Sequence, residues 1–204
     1  MKQLLVVLVA YLVGGIPFGY LLVKLKTGED VRSKGSGNIG ATNVLRTTGR
    51  AIAVVTLLLD IAKGFFAVWF AAWLTGDSPD SSPIWMSAAA LAVMAGHAYP
   101  VFLKFQGGKA VASFIGAFLY LTPVPLAATL LLFVIVVAVT RHISIGSIVA
   151  AGSLPFAVWM ILHPPTAVLL ASIAAAAFII YRHKANIGRI RAGNESVFKF
   201  GGGK

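Results

Sequence analysis

The chain has 204 residues, 58% of them hydrophobic and only 11% charged, which excludes an ordinary soluble domain and describes an all-α, polytopic membrane protein. It has no cysteine, so disulfides, thiolate chemistry and thiolate metal ligation are excluded. The net charge of +11 fits nucleic acid, anionic lipid headgroups or small phosphorylated substrates, and its placement along the chain has to separate these.

A membrane-crossing helix needs about 20 apolar residues, fewer when it is buried among neighbours. On that basis the sequence predicts seven spans, over 4–23, 51–74, 84–99, 111–121, 125–139, 145–161 and 166–181, in a single domain covering residues 1–204. The first span is expected to be retained, because it runs on into Gly14-Gly15-Ile16-Pro17 and is followed by equally apolar runs. Residues 14–19 break its inner half. Irregular backbone at that depth is tolerated where it is packed in protein or lines a cavity, and a slot there would admit a lipid chain sideways.

After the first span, Gly35-Ser36-Gly37-Asn38-Ile39-Gly40 satisfies the G-x-G-x-x-G pattern of dinucleotide sites. That pattern requires a strand before it and a helix after it, whereas here a membrane span and a charged linker precede it. The phosphate-loop pattern fails too, since Ala41-Thr42 stand where Lys and Ser or Thr are needed. What survives is physical: glycines let successive N–H groups converge on an anion, Ser36, Asn38, Thr42 and Asn43 add neutral donors, and Arg46 adds a bidentate cation. A plain Gly/Ser/Asn turn between two helices has the same composition.

In the second span, Asp60 and Lys63 share one helix face, and Asp60 lies ~14 Å from the cytoplasmic end. Such charges are expected to pair with each other or with groups of the site. The third span leads into residues 96–113, where Gly107-Gly108-Lys109 opens the fourth; a helix N-terminus there would aim N–H groups at an anion beside Lys109. His97 is expected to orient this loop. The fourth span is only 11 residues long, and Pro123 and Pro125 follow it, so 111–139 also fits one span with a re-entrant piece. Arg141 to Ser147 forms the next short loop. His163 is expected to be incidental. The seventh span ends in Arg182-His183-Lys184-Ala185-Asn186, where His183 is the better histidine for substrate contact.

Seven spans place Lys24, Lys26, Arg32, Lys34, Arg46, Arg50, Lys104, Lys109, Arg141, Arg182, Lys184, Arg189, Arg191, Lys199 and Lys204 on one side, 15 of the 17 basic residues. Lys and Arg accumulate in cytoplasmic loops, so the N-terminus is expected outside and the C-terminus in the cytoplasm. Topogenic charge explains part of the asymmetry. Clustering with Gly, Ser, Asn and His at one face points further, to an anion site for a phosphorylated substrate. A nucleic-acid surface would need longer basic stripes with stacking aromatics, and the loops are too short.

The segments GSGNIGATNVLR (35–46), GHAYPVFLKFQGGKAVAS (96–113) and HKANIGRIRAGNE (183–195) resemble the three cytoplasmic motifs of the bacterial acyl-phosphate:glycerol-3-phosphate acyltransferases, the integral-membrane family called PlsY. The resemblance covers nearly the whole chain. It implies transfer of a fatty acyl group from acyl phosphate to the 1-hydroxyl of glycerol 3-phosphate, giving lysophosphatidic acid and inorganic phosphate at the cytoplasmic side of the bacterial inner membrane. It implies no cofactor, no metal and no obligate protein partner beyond membrane lipids. Carried over by position, it implies catalytic roles for Ser36, Arg46, Lys109, His183 and Asn186. Phosphate or substrate binding would fall to Gly37, Asn38, Gly40, Thr42 and Asn43 of the first motif, and to Lys104, Ser147 and Glu195. Ile39 stands where the family often has proline, and Ala110 where it often has glycine.

The chemistry suits these residues. An acyl phosphate is already activated, so the protein chiefly neutralises and aligns two phosphorylated substrates. The attacking hydroxyl would lose its proton to a substrate phosphate oxygen, with His183 orienting it or sharing that role. The rival reading is a transporter or flippase for a phosphorylated metabolite or anionic lipid, favoured by the broken first span and Asp60/Lys63 but lacking an inverted repeat. A metal-dependent phosphatidyltransferase would need several aspartates, and Asp60 is the only carboxylate within a span.

Overall fold

The computed structural model describes residues 1–80 and 83–198, and all regular structure among them is helical. Lys199 and Lys204, counted above among the basic residues, lie outside the described residues. The chain gathers into two compact units, Met1–Leu121 and Thr122–Lys204.

In the first unit, α1 (Lys2–Gly14) and α2 (Phe18–Thr27) are the two halves of the interrupted first span. The helical ladder continues as far as the Ile16 N–H, which donates to Val13 O at 3.2 Å, and fails at Pro17, which has no N–H to donate. A short α3 (Ala41–Thr47) then leads into the long α4 (Arg50–Thr75), α5 (Ile84–Ala98) and α6 (Val111–Leu121). α1 lies directly on α5. A Cβ on Gly14 would collide with the Val93 backbone and one on Gly96 with the Tyr11 carbonyl, so the two backbones meet where no side chain intervenes. The Tyr11 hydroxyl adds a hydrogen bond to Tyr99 O at 2.7 Å, which fixes the point where the second motif loop leaves α5.

In the second unit, α7 (Pro123–Thr140) starts with Pro123 and Pro125 in its first turn, where a missing N–H costs nothing. α6 and α7 are therefore separate helices. Arg141, in the left-handed region at φ 62°, turns the chain tightly into α8 (Ile143–Leu162). α9 (Thr166–Arg182) and α10 (Lys184–Arg191) meet at His183 with a 54° bend.

Apart from the interrupted first span, the expected spans agree with helices to within two residues at each end. Among the described residues, five helical stretches are long and apolar enough to cross a membrane, or six when α9 and α10 are counted together; α6, with 11 residues, is shorter. Leu58 and Trp73 of α4 and Phe156 and Trp159 of α8 are each more than half exposed, an exterior suited to lipid rather than water.

Candidate active site

The first two motifs meet over a small apolar core. Val23 of α2, Val31, Ile39, Val44 of α3, Ala53 of α4 and Leu103 pack together, each almost fully buried. Ile39 comes from the middle of the glycine-rich loop and Leu103 from the 3-10 turn Val101–Leu103 of the second loop, so each loop is anchored by one apolar side chain. Ile39 is thus retained by packing.

Asn43 organises the glycine-rich loop. It is 1% exposed, and its Nδ2 donates to Val31 O (3.0 Å), Lys34 O (3.2 Å) and Asn38 O (2.8 Å), while its Oδ1 accepts from Ser36 N (2.8 Å). Asn38 Oδ1 accepts from Gly40 N at 2.8 Å, and Gly37 N, at φ 69°, donates to Lys34 O at 3.1 Å. The N–H groups of Ser36, Gly37 and Gly40 thus all close the loop on itself. The reason is local, because a loop this rich in short polar side chains can satisfy its own backbone. Asn43 likewise serves as an internal brace, with every polar atom engaged. The Ser36 side chain and Arg46, at the end of α3, are exposed, and Thr42 in its first turn is half-buried. Arg32 is held by Asp30 through bonds of 2.6–3.1 Å, and that hydrogen-bonded guanidinium keeps the Asp30 carboxyl below its ordinary value.

In the second loop Lys104 is exposed and left-handed at φ 52°. Gly108 N donates to His97 O at 3.0 Å, and Gly108 lies so close to the His97 ring that a Cβ would collide with Nε2. Lys109 is half-buried in the next position, and Ala110, at φ 62°, turns the chain into α6. Beneath the loop, Lys63 Nζ lies 2.7 Å from Asp60 Oδ1 and donates to Ile16 O at 2.9 Å, and His97 Nδ1 is 3.6 Å from the same carboxylate oxygen. The expected Asp60–Lys63 pair is present, and His97 does face its own loop.

In the second unit Glu195 is the centre. Its side chain is 6% exposed, Oε1 accepts from Ser144 Oγ (2.8 Å) and Asn186 Nδ2 (2.6 Å), and Oε2 accepts from Arg189 Nε (2.7 Å). Burial alone would raise its pKa; the hydrogen bonds from Asn186, Ser144 and Arg189, with the Arg189 charge, outweigh that and hold the carboxyl below the usual glutamate value. Because Nδ2 points at Glu195, the Asn186 amide has one orientation, and its Oδ1 is buried without a hydrogen-bond partner. His183 is 2% exposed with Nδ1 2.8 Å from Ile179 O. A carbonyl only accepts, so Nδ1 carries a proton and a neutral ring has its basic lone pair on Nε2. The Ser147 hydroxyl donates to Ile143 O at 2.9 Å, within its own helix.

Ser144 was not among the residues singled out from the sequence. Its signal was present: it lies three residues before Ser147 at the start of α8, hence on the same face.

A family profile described as "Glycerol-3-phosphate acyltransferase" matches residues 4–193. A glycerol-3-phosphate acyltransferase of Desulforamulus reducens is 44% identical over 97% of this chain and 94% of that protein, and one of Geobacter sulfurreducens is 43% identical over 98% and 99%. The crystal structure of PlsY (YgiH), an integral membrane glycerol 3-phosphate acyltransferase in its glycerol 3-phosphate form, superposes with a TM-score of 0.90 at 38% identity, covering 98% of this chain and 96% of that one. All three motifs fall within or at the edge of the matched residues, and on that ground the chain belongs to the glycerol-3-phosphate acyltransferase family.

Proposed function

We propose that the protein transfers a fatty acyl group from acyl phosphate to the 1-hydroxyl of glycerol 3-phosphate, releasing inorganic phosphate and leaving lysophosphatidic acid in the membrane. The observation that carries this reading is the match to the family over residues 4–193. The hydroxyl oxygen attacks the acyl carbonyl carbon, the bond from that carbon to the phosphate oxygen breaks, and the hydroxyl proton passes to a phosphate oxygen or to His183 Nε2. Arg46, Lys104 and Lys109 supply cations for the phosphates, Ser36 and Thr42 supply hydroxyl donors, and Gly37, Asn38, Gly40 and Asn43 give their loop its shape. Asn186 offers its buried Oδ1 to a substrate hydroxyl, with Glu195 holding the amide in place and Ser147 lying nearby in sequence to Ser144. Neutralisation and alignment are the main demands, since phosphate is already a good leaving group. No cofactor, metal or protein partner is required by this chemistry.

The same reading includes seven spans, with α6 as the short fourth, the N-terminus outside and the motif loops in the cytoplasm of a bacterium. Positive charge on those loops supports that orientation.

The test is phosphate release by purified, detergent-solubilised protein given palmitoyl phosphate, with and without glycerol 3-phosphate, alongside Lys109→Ala. Release that depends on glycerol 3-phosphate, yields lysophosphatidic acid and collapses in the variant is the expected result. Folded protein with no glycerol 3-phosphate-dependent release would overturn the reading.

A further inference from the structure

Asp60, Lys63 and His97 take no part in the reaction as written, yet they are 2%, 4% and 3% exposed. Ionisable groups buried at membrane depth are costly, and they persist where they pair or act. A pair that merely joined two turns of α4 would need no third group. Here both ends reach beyond α4. Lys63 Nζ donates to Ile16 O at the break in the first span and lies 5.6 Å from the Phe18 ring centroid, at the start of α2. Asp60 Oδ1 lies 3.6 Å from His97 Nδ1, and the opposite edge of that ring, Nε2, is against Gly108. The His97 carbonyl also accepts the Gly108 N–H, so ring and backbone of one residue both bear on the turn that presents Lys109.

We propose that Asp60 is a positioning residue for the acyl transfer: its charge, 3.6 Å from the Nδ1 edge of His97, favours the ring orientation that keeps the Nε2 edge against Gly108 and so sets the Gly107-Gly108-Lys109 turn, while Lys63 neutralises it and ties it to the broken first span. This rests on the proposed role of Lys109 in handling a substrate phosphate. A carboxylate that orients an imidazole by its far nitrogen is a common way to fix the near one. Removing the carboxylate takes away the charge that faces the Nδ1 edge of the ring.

The full-length protein in detergent would be assayed for kcat, for KM of each substrate and for thermal unfolding. Lys109→Ala identifies the substrate whose KM depends on the turn; if it alters neither KM nor turnover, the role of Lys109 fails and the fault lies with the functional reading. Asp60→Asn leaves Lys63 buried without its partner and is expected to lower Tm. Asp60→Asn/Lys63→Met removes both charges and is expected to recover Tm. The inference expects this double variant to keep a KM raised about tenfold or more for the Lys109-dependent substrate, with kcat changed less. His97→Gln should raise the same KM, and combining it with the double variant should add nothing further. If the double variant recovers KM along with Tm, Asp60 and Lys63 are a staple only and the inference is overturned. It is equally overturned if His97→Gln leaves that KM unchanged.

Discussion

Asn43 and Glu195 do the same job with opposite chemistry. Each is a buried hub that gathers a motif: Asn43 closes the glycine-rich loop with four hydrogen bonds, and Glu195 joins Ser144, Asn186 and Arg189 with three. Asn43 donates and accepts, so all its partners are backbone groups and none of its bonds depends on protonation. Glu195 only accepts, so it selects side-chain donors and dictates which way Asn186 faces. A neutral hub gives a loop its shape; a charged hub gives a neighbouring side chain its orientation and exposes it to titration.

The largest break in this comparison is Asn43→Ala, which leaves three carbonyls and one N–H of the loop without their shared partner and should cost about 3 kcal/mol. Activity should fall with it, and Asn43→Asp should be nearly as damaging, since a carboxylate cannot donate to the three carbonyls. Thermal unfolding with the phosphate-release assay checks both. A resilient Asn43→Ala would mean that the loop is shaped by Ile39 and the glycines alone.

Glu195→Gln should lower turnover about tenfold with a smaller loss of Tm, because the amide still accepts through one oxygen but no longer pairs with Arg189 or commits Asn186 to one orientation. The pH dependence sharpens the contrast. The Glu195 carboxyl is held below its ordinary value of 4.5, so its stabilisation is fully present above about pH 4.5 and is lost as pH falls through the lower folded value. The Tm gap between wild type and Glu195→Gln should therefore shrink below pH 4.5, while the gap for Asn43→Ala stays level. Parallel gaps would remove the distinction between the two hubs.

The smallest effect is expected at Asp30. Its ion pair with Arg32 is partly exposed, so Asp30→Asn should cost less than about 1 kcal/mol and shift turnover little.

Much of the architecture was legible because apolar helices announce their ends. Pro123, Pro125 and Gly14 to Pro17 mark breaks that the backbone must make, and α6 was expected over the same 11 residues it occupies. The motifs were legible as composition, and the pairing of Asp60 with Lys63 followed from their spacing. Hydrogen-bond destinations were not legible. Nothing in the spacing says that Asn43 turns inward to Val31, twelve residues back, or that Ser144 rather than Ser147 reaches Glu195, fifty-one residues on. Periodicity reports which face a residue shares, whereas a donor's choice among distant acceptors is made only when the chain has packed. Leu103 and Ile39 were hidden for the same reason: each looks like an incidental apolar residue in a polar loop until the common core brings them together.

The bond from Lys63 to the Ile16 carbonyl carries a consequence for biosynthesis. Chain order puts Ile16 into the bilayer before Lys63 emerges, whereas His97 is made later still. A helix that pairs Asp60 with Lys63 on one face can enter the membrane as a self-neutralised unit, with the Ile16 carbonyl as a ready acceptor at the break in the first span. Each charge would otherwise oppose insertion by roughly 3 kcal/mol. The interrupted first helix is, on this account, a docking point for the second during synthesis, and the histidine arrives last to a carboxylate already in position.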